Sequence, residues 1–172
     1  MDQAGKKSRS YLNVPPIPES IWQHPLHFIA FGFGSGACPF APGTLGTLFA
    51  VPFYLIACAF GDKVYAFLTL IFVLMSIYVC AKASQAVLVD DHQGMCLDEF
   101  AGFFVTMLFL PHTYIWIIAG FILFRLFDIW KPWPISYIDQ HMHGGFGMIF
   151  DDVIAGVFAC AILQMFKFFV QG

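Results

Sequence analysis

The sequence predicts an all-α protein: a compact multi-helix, membrane-embedded bundle made of helical hairpins, with an acidic site at one membrane face. Three observations carry that prediction. Hydrophobic residues make up 59% of the 172 residues and charged ones only 11%, a balance poor in solubilising charge for a soluble domain. No Lys, Arg, Asp or Glu occurs from Ser20 to Gly61, from Val64 to Ala81 or from Phe100 to Phe124, and these are bilayer-scale runs. Eight of the 11 acids nevertheless fall between residues 90 and 152. Carboxylates beside apolar runs are costly unless a cap, a counter-charge or a metal ion satisfies them.

Residues 1–20 read as a disordered tail, with Lys6, Lys7 and Arg9 followed by Pro15, Pro16 and Pro18. The positive-inside bias puts that tail in the cytoplasm, and the prolines between its cations and the apolar run argue against a cleaved signal peptide. Residues 21–172 read as a single domain. A short apolar run over 23–33 breaks at Gly32, Gly34 and Gly36, and Thr44 to Phe60 is expected to be helical. Gly61-Asp62-Lys63 is expected to turn the chain into Val64 to Ala83, the cleanest spanning segment. After a polar connection over 84–97, Asp98 to Leu110 and Thr113 to Trp130 form a second hairpin that turns at Pro111-His112. The first of these helices would reach only about 20 Å, against roughly 30 Å of hydrocarbon, so the pair dips in without crossing. Beyond Pro132 and Pro134, Gly144-Gly145-Phe146-Gly147 reads as a loop and Asp151 to Val170 as the last helix.

Out-and-back hairpins bring the start of one helix and the end of the next to the same face. Asp98, Glu99, Asp128, Asp151 and Asp152 can therefore meet, with Asp91 in the preceding connection. Each acidic pair alone is explained by helix capping or by the positive end of the helix dipole. Their coincidence is not, because adjacent carboxylates repel unless a cation holds them. An all-oxygen donor set suits a hard divalent ion, and Mg²⁺ is the leading cofactor, since it commonly takes substrate phosphate oxygens as further ligands.

Arg125, Asp128 and Lys131 follow at i, i+3 and i+6, which reads either as a salt-bridged helix end or as a phosphate clamp. Thr44, in Pro42-Gly43-Thr44-Leu45-Gly46-Thr47, stands where free amides at a helix start would receive an anion. The Gly32-Phe33-Gly34-Ser35-Gly36 stretch lacks the Walker ending and reads as close helix packing. His24 and His27 read as interfacial, and His141 as a loop residue. His143 is a proton donor in the functional reading and a polar loop residue in the plainer one. Five scattered cysteines without a C-x-x-C pair suggest neither a disulfide framework nor a thiolate zinc site. A net charge of −3 with no basic stripe excludes a nucleic-acid partner.

Gly32-Phe33-Gly34-Ser35-Gly36 with Pro39 and Pro42-Gly43-Thr44, then Asp91 and Asp98-Glu99-Phe100-Ala101-Gly102, then Phe124 to Pro134, then His143 to Gly147 with Asp151-Asp152, resemble the phosphatidylglycerophosphatase A family over nearly all of 26–165. The resemblance implies a helical, Mg²⁺-dependent lipid phosphatase of the bacterial inner membrane, converting phosphatidylglycerophosphate to phosphatidylglycerol and phosphate at the cytoplasmic face. Carried over, it implies Asp91, Asp98, Glu99, Asp128, Asp151 and Asp152 as metal-binding and catalytic acids and His143 as a catalytic partner. Arg125, Lys131 and Thr44 become the phosphate-binding groups. Asp90 and Asp139 are expected to lie outside that set, either as surface charges or as charges that support the site residues from behind.

The expected chemistry is attack by a metal-activated water. Two alternatives are an aspartyl-phosphate intermediate, which lacks a D-x-D-x-T/V signature, and a membrane cation transporter using the acids as a path. A headgroup transferase would need the D-G-x2-A-R…G-x3-D-x3-D pattern of the CDP-alcohol enzymes, and that pattern is absent.

Overall fold

A computed structural model describes residues 19–38, 40–87, 94–142 and 144–171. Those residues are helical, with no strand among them. Seven α-helices follow in order: α1 Pro25–Ala30, α2 Pro42–Cys58, α3 Asp62–Val87, α4 Leu97–Thr106, α5 Tyr114–Trp130, α6 Ile135–His141 and α7 Gly144–Gln171. Short 3-10 turns precede and follow α1.

The shortest of the main helices is the innermost. Beyond its first turn every residue of α4, from Phe100 to Thr106, is buried. Helix α7 packs along it and also touches α3, α5 and α6. Glycine makes the crossing close: a Cβ on Gly156 would lie 2.4 Å from the Gly102 carbonyl oxygen, and one on Gly102 would lie 2.7 Å from that of Asp152. Small residues let helix backbones approach in this way. The Thr106 hydroxyl lies at this crossing, donating to the Gly102 carbonyl of its own helix at 2.9 Å and, more weakly, to the Gly156 carbonyl of α7 at 3.5 Å.

At 10 residues α4 is only about 15 Å long, and it stops in the interior. Its last carbonyls and those of the following turn need partners, because buried unpaired backbone is costly. Tyr65 donates to Phe104 O at 2.6 Å, Gln164 to Leu108 O at 2.8 Å and Lys167 to Phe109 O at 2.8 Å. The turn is also pinned by His112, which bonds Tyr54 at 2.7 Å and Asp62 at 2.9 Å.

Helices α3 and α7 contain runs long and apolar enough to cross a membrane, Asp62–Ala86 and Gly145–Phe169. The outward face of α3 shows Phe67, Leu70, Leu74 and Tyr78 each more than half exposed, and α7 shows Phe166, Phe168 and Phe169 likewise. Water disfavours continuous apolar faces of this kind.

Several boundaries differ from the sequence expectation, each for an identifiable reason. Asp62 and Lys63 belong to α3, where the acid lies in the favourable first turn, and only Gly61 turns, at φ 89°. Helix α4 ends four residues short of Leu110. Helix α6 forms where only a proline-rich connection was expected. The expected loop at Gly144–Gly147 is the start of α7: a Cβ on Gly145 would meet the Ala81 backbone nitrogen at 2.2 Å, and one on Gly147 the Met142 carbonyl oxygen at 2.3 Å. These glycines serve close packing, which outweighs the roughly 1 kcal/mol each costs a helix. His24 is exposed as an interfacial residue would be, but His27 is buried. The stretch from Gly32 to Ala37 is a 3-10 turn with left-handed Gly32, Phe33 and Gly34, packed on Gly94, Cys96 and Phe100, in keeping with a packing role.

Substituting Gly156→Ala should lower the thermal midpoint of the purified protein by an amount equivalent to about 1–3 kcal/mol, the usual overpacking cost. Gly156→Leu should abolish folding in the same measurement.

Candidate functional site

The starts of α2, α4 and α7 and the end of α5 converge at one end of the bundle. Asp98 and Glu99 occupy the first turn of α4, favourable for acids, and Asp98 accepts from the Glu99 amide at 3.0 Å. Asp152 reaches them from α7. Ligand oxygens of Asp98, Glu99 and Asp152 all lie within 4.8 Å of one another.

Asp151 and Asp152 do not cap a helix. They sit about two turns inside α7, with 5% and 4% of their surface exposed, so capping cannot offset their burial. Asp128, from α5, lies near enough to Asp152 for the two charges to repel and forms an ion pair with Arg125. Arg125 also approaches Glu99 at 3.9 Å. Lys131 closes the other side, with its ammonium 2.6 Å from Asp139 and 2.6 Å from Asp151.

The first turn of α2 abuts this cluster. A Cβ on Gly43 would lie 2.3 Å from a Glu99 carboxylate oxygen and 3.0 Å from an Arg125 nitrogen. A larger residue there would push the Glu99 and Arg125 side chains aside, so the glycine lets the α2 start, with half-buried Thr44, come to the edge of the acids.

Six described carboxylates thus face two permanent cations, and the excess is felt locally. Burial pushes the Glu99 carboxyl up to about 7 from its ordinary 4.5; Asp152 and Asp128 add to the rise, while hydrogen bonding with Asp98 and the Arg125 charge oppose it. For Lys131, burial works against the charged form, but Asp151 and Asp139 win and raise its pKa. Glu99 Oε2 and Asp151 Oδ1 are buried with no protein partner. Clustered carboxylates with orphaned oxygens fit a hard divalent cation, which prefers oxygen donors and needs no preformed thiolate or imidazole.

The structure therefore brings together Asp98, Glu99, Asp128, Asp151, Asp152, Arg125 and Lys131, with Thr44 at the margin. Asp91 and His143 lie outside the described residues, as do Asp90 and His92. His141 turns away and stacks on Tyr137 at 4.0 Å between ring centres. One contributor escapes sequence reasoning: Gly43 reads only as part of a helix start. Asp139 takes the supporting place that is one of its two expected readings, holding Lys131 at 2.6 Å from across a proline turn; the i, i+8 separation matches no helical spacing, so periodicity does not single out that partner.

A buried carboxylate cluster that could hold a metal ion, two cations beside it and a helix start, all at one end of a helical bundle, define a class of helical protein with an acidic, cation-ready site. Comparison with known proteins narrows that class. The family model for phosphatidylglycerophosphatase A matches residues 28–167. Phosphatidylglycerophosphatase A of Escherichia coli K12 is 39% identical over 141 residues, covering 81% of this chain and 82% of the relative. Its counterpart from Haemophilus influenzae is 36% identical over 157 residues, 90% and 96% of the two chains. No solved structure matches the chain. The chain belongs to the phosphatidylglycerophosphatase A family, and it is an enzyme of the phosphatase class.

Two thermal measurements check the electrostatics. Mg²⁺ should raise the midpoint of the wild-type protein and leave Asp152→Asn unmoved, while the metal-free variant should melt no lower than metal-free wild type because a repulsive charge is gone. In EDTA, stability should fall as pH rises from about 4.5 to about 7: Glu99 holds its proton longer folded than unfolded, so the unfolded state binds fewer protons across that window. Glu99→Gln should reduce this slope.

Proposed function

We propose that the chain is a membrane-embedded, Mg²⁺-dependent lipid phosphatase that hydrolyses the terminal phosphomonoester of phosphatidylglycerophosphate, releasing phosphatidylglycerol and phosphate. The observation that carries this reading is the cluster of Asp98, Glu99 and Asp152, with its orphaned Glu99 oxygen, beside Arg125 and the α2 start. Family membership supports the choice of substrate. The exposed apolar faces of α3 and α7 support a bilayer setting, in which acyl chains stay in lipid while the headgroup reaches the helix ends.

Asp98, Glu99 and Asp152 would hold the ion, joined by Asp128, Asp151 and Asp91. Magnesium bound there supplies Lewis-acid charge to the phosphoryl oxygens and acidity to the attacking water. The protein's own groups do the rest. Arg125 presents a planar fork whose buried Nε has no partner, and it receives the terminal phosphate together with the Lys131 ammonium. Thr44 and the free amides of the first α2 turn, next to Arg125, add donors. Asp128 holds Arg125 in place. His143 supplies the proton that the departing glycerol oxygen takes up as the P–O bond breaks and the new P–O bond to water forms.

A cation path through the bundle finds no support. The stretches Val64–Ala81, Phe100–Phe124 and Val153–Phe166 carry no charged residue, so the acids stay at one end. The tail and the helix ends that bear the acids are assigned to the cytoplasmic face of the bacterial inner membrane by the positive-inside bias.

Phosphate release from phosphatidylglycerophosphate is the direct assay. EDTA and Asp128→Asn should each abolish it, and unchanged turnover in both would overturn the carboxylate–metal reading. Arg125→Lys should lower kcat/KM by about ten- to a hundredfold, the scale of a lost charged hydrogen bond. Phosphatidic acid as a parallel substrate reports headgroup selectivity. Single turnover in ¹⁸O-labelled water should put the label in the released phosphate; label in an Asp side chain would replace water attack with an aspartyl-phosphate.

A further inference from the structure

Lys131 is shared between two carboxylates of unlike character. Its ammonium stands 2.6 Å from each, yet the Asp151 side chain is only 7% exposed and that of Asp139 is 41% exposed. Lys131 terminates α5 in the left-handed region at φ 43° and is followed by Pro132, so its Cα has little freedom to move. A change at this point is therefore a change of partner. Asp151 is a poor one to release, because a buried carboxylate left without its cation is strongly destabilising. Asp139 lies on the seven-residue α6 at the protein's edge, where water can solvate it freely.

We propose that Asp139 is an exchange anion for phosphate: it holds Lys131 while the site is free, yields it to the incoming phosphate group, and reclaims it as inorganic phosphate leaves. The inference rests on reading the site as one that binds phosphate and releases it. Charge sets the direction of each exchange. A phosphomonoester near neutral pH carries close to two negative charges and outcompetes a single carboxylate for the ammonium. Inorganic phosphate released into water is replaced by a carboxylate that never left the neighbourhood. Asp139 is thus a positioning residue, acting through Lys131 and speeding departure of the product.

The test is calorimetric titration of inorganic phosphate into the full-length, detergent-solubilised protein with Mg²⁺, comparing wild type, Asp139→Asn and Asp139→Glu. Removing the competitor should tighten phosphate binding by about two- to fivefold, the range expected for a partly exposed ion pair, and Asp139→Glu should return Kd to the wild-type value. A merely structural Asp139 would loosen binding when lost. Unchanged or weaker binding in Asp139→Asn overturns the proposal, as does phosphate that binds none of the three proteins. Lipid hydrolysis is read on the same samples. A shifted Kd without hydrolysis overturns the phosphatase reading and leaves the exchange standing, whereas hydrolysis with an unmoved Kd overturns the exchange alone.

Discussion

Helix α4 lies so close against α7 that at Gly102 and Gly156 the two backbones all but touch. The acidic site depends on that approach. Asp98 stands four residues before Gly102, and Asp152 four residues before Gly156, so each acid sits one turn from the crossing on the face that its glycine presents. A wider crossing would separate the carboxylates and leave two unrelated acidic positions in place of a cation site. The coupling is direct, since a Cβ at Gly102 would meet the Asp152 backbone carbonyl as well as the Phe124 ring.

Bringing acids together this way opposes folding. Arg125 and Lys131 are each already divided between two carboxylates, and Glu99 holds its proton to about pH 7 because burial favours the neutral form. The cluster is thus poised to gain more from a divalent ion than an exposed set of acids would, because the ion relieves repulsion and desolvation at once. A preorganised site of this kind holds its charged groups in place before substrate arrives, which is where enzymes obtain much of their electrostatic stabilisation.

Much of this was legible in the sequence, and the illegible parts share a cause. Charge-free runs set apart by Gly, Pro and acids identified α2, α3, α4 and α5 to within a few residues, and hairpin parity placed Asp98, Glu99 and Asp128 at one end. The start of α7 is hidden because Gly144, Gly145 and Gly147 read locally as a loop, while in the fold Gly145 and Gly147 let α7 pass Ala81 and Met142. Propensity is a local quantity, and the reason for these glycines is tertiary. The same blindness hid which cation Asp139 supports, because that partner lies across a turn, and concealed Gly43, whose role appears only when Glu99 and Arg125 arrive from other helices. The D-x3-G spacing shared by Asp98–Gly102 and Asp152–Gly156 was the one available sign that two acids would meet at a crossing.

The far end of α4 explains why the near end can be so charged. A helix that stops inside the protein would normally drift or unwind to satisfy its carbonyls, but Tyr65, Gln164 and Lys167 reach in from α3 and α7 to receive them, and the His112 bridge to Tyr54 and Asp62 ties down the turn that follows. Those bonds fix the depth of α4 against the same two helices that form the outer walls of the bundle. With depth set from one end and lateral approach set by Gly102 and Gly156, the first turn of α4 has no remaining freedom to retreat from Asp152. Repulsion among the carboxylates then cannot be relieved by moving the helices apart, so it is left to be relieved by a cation or by protonation of Glu99.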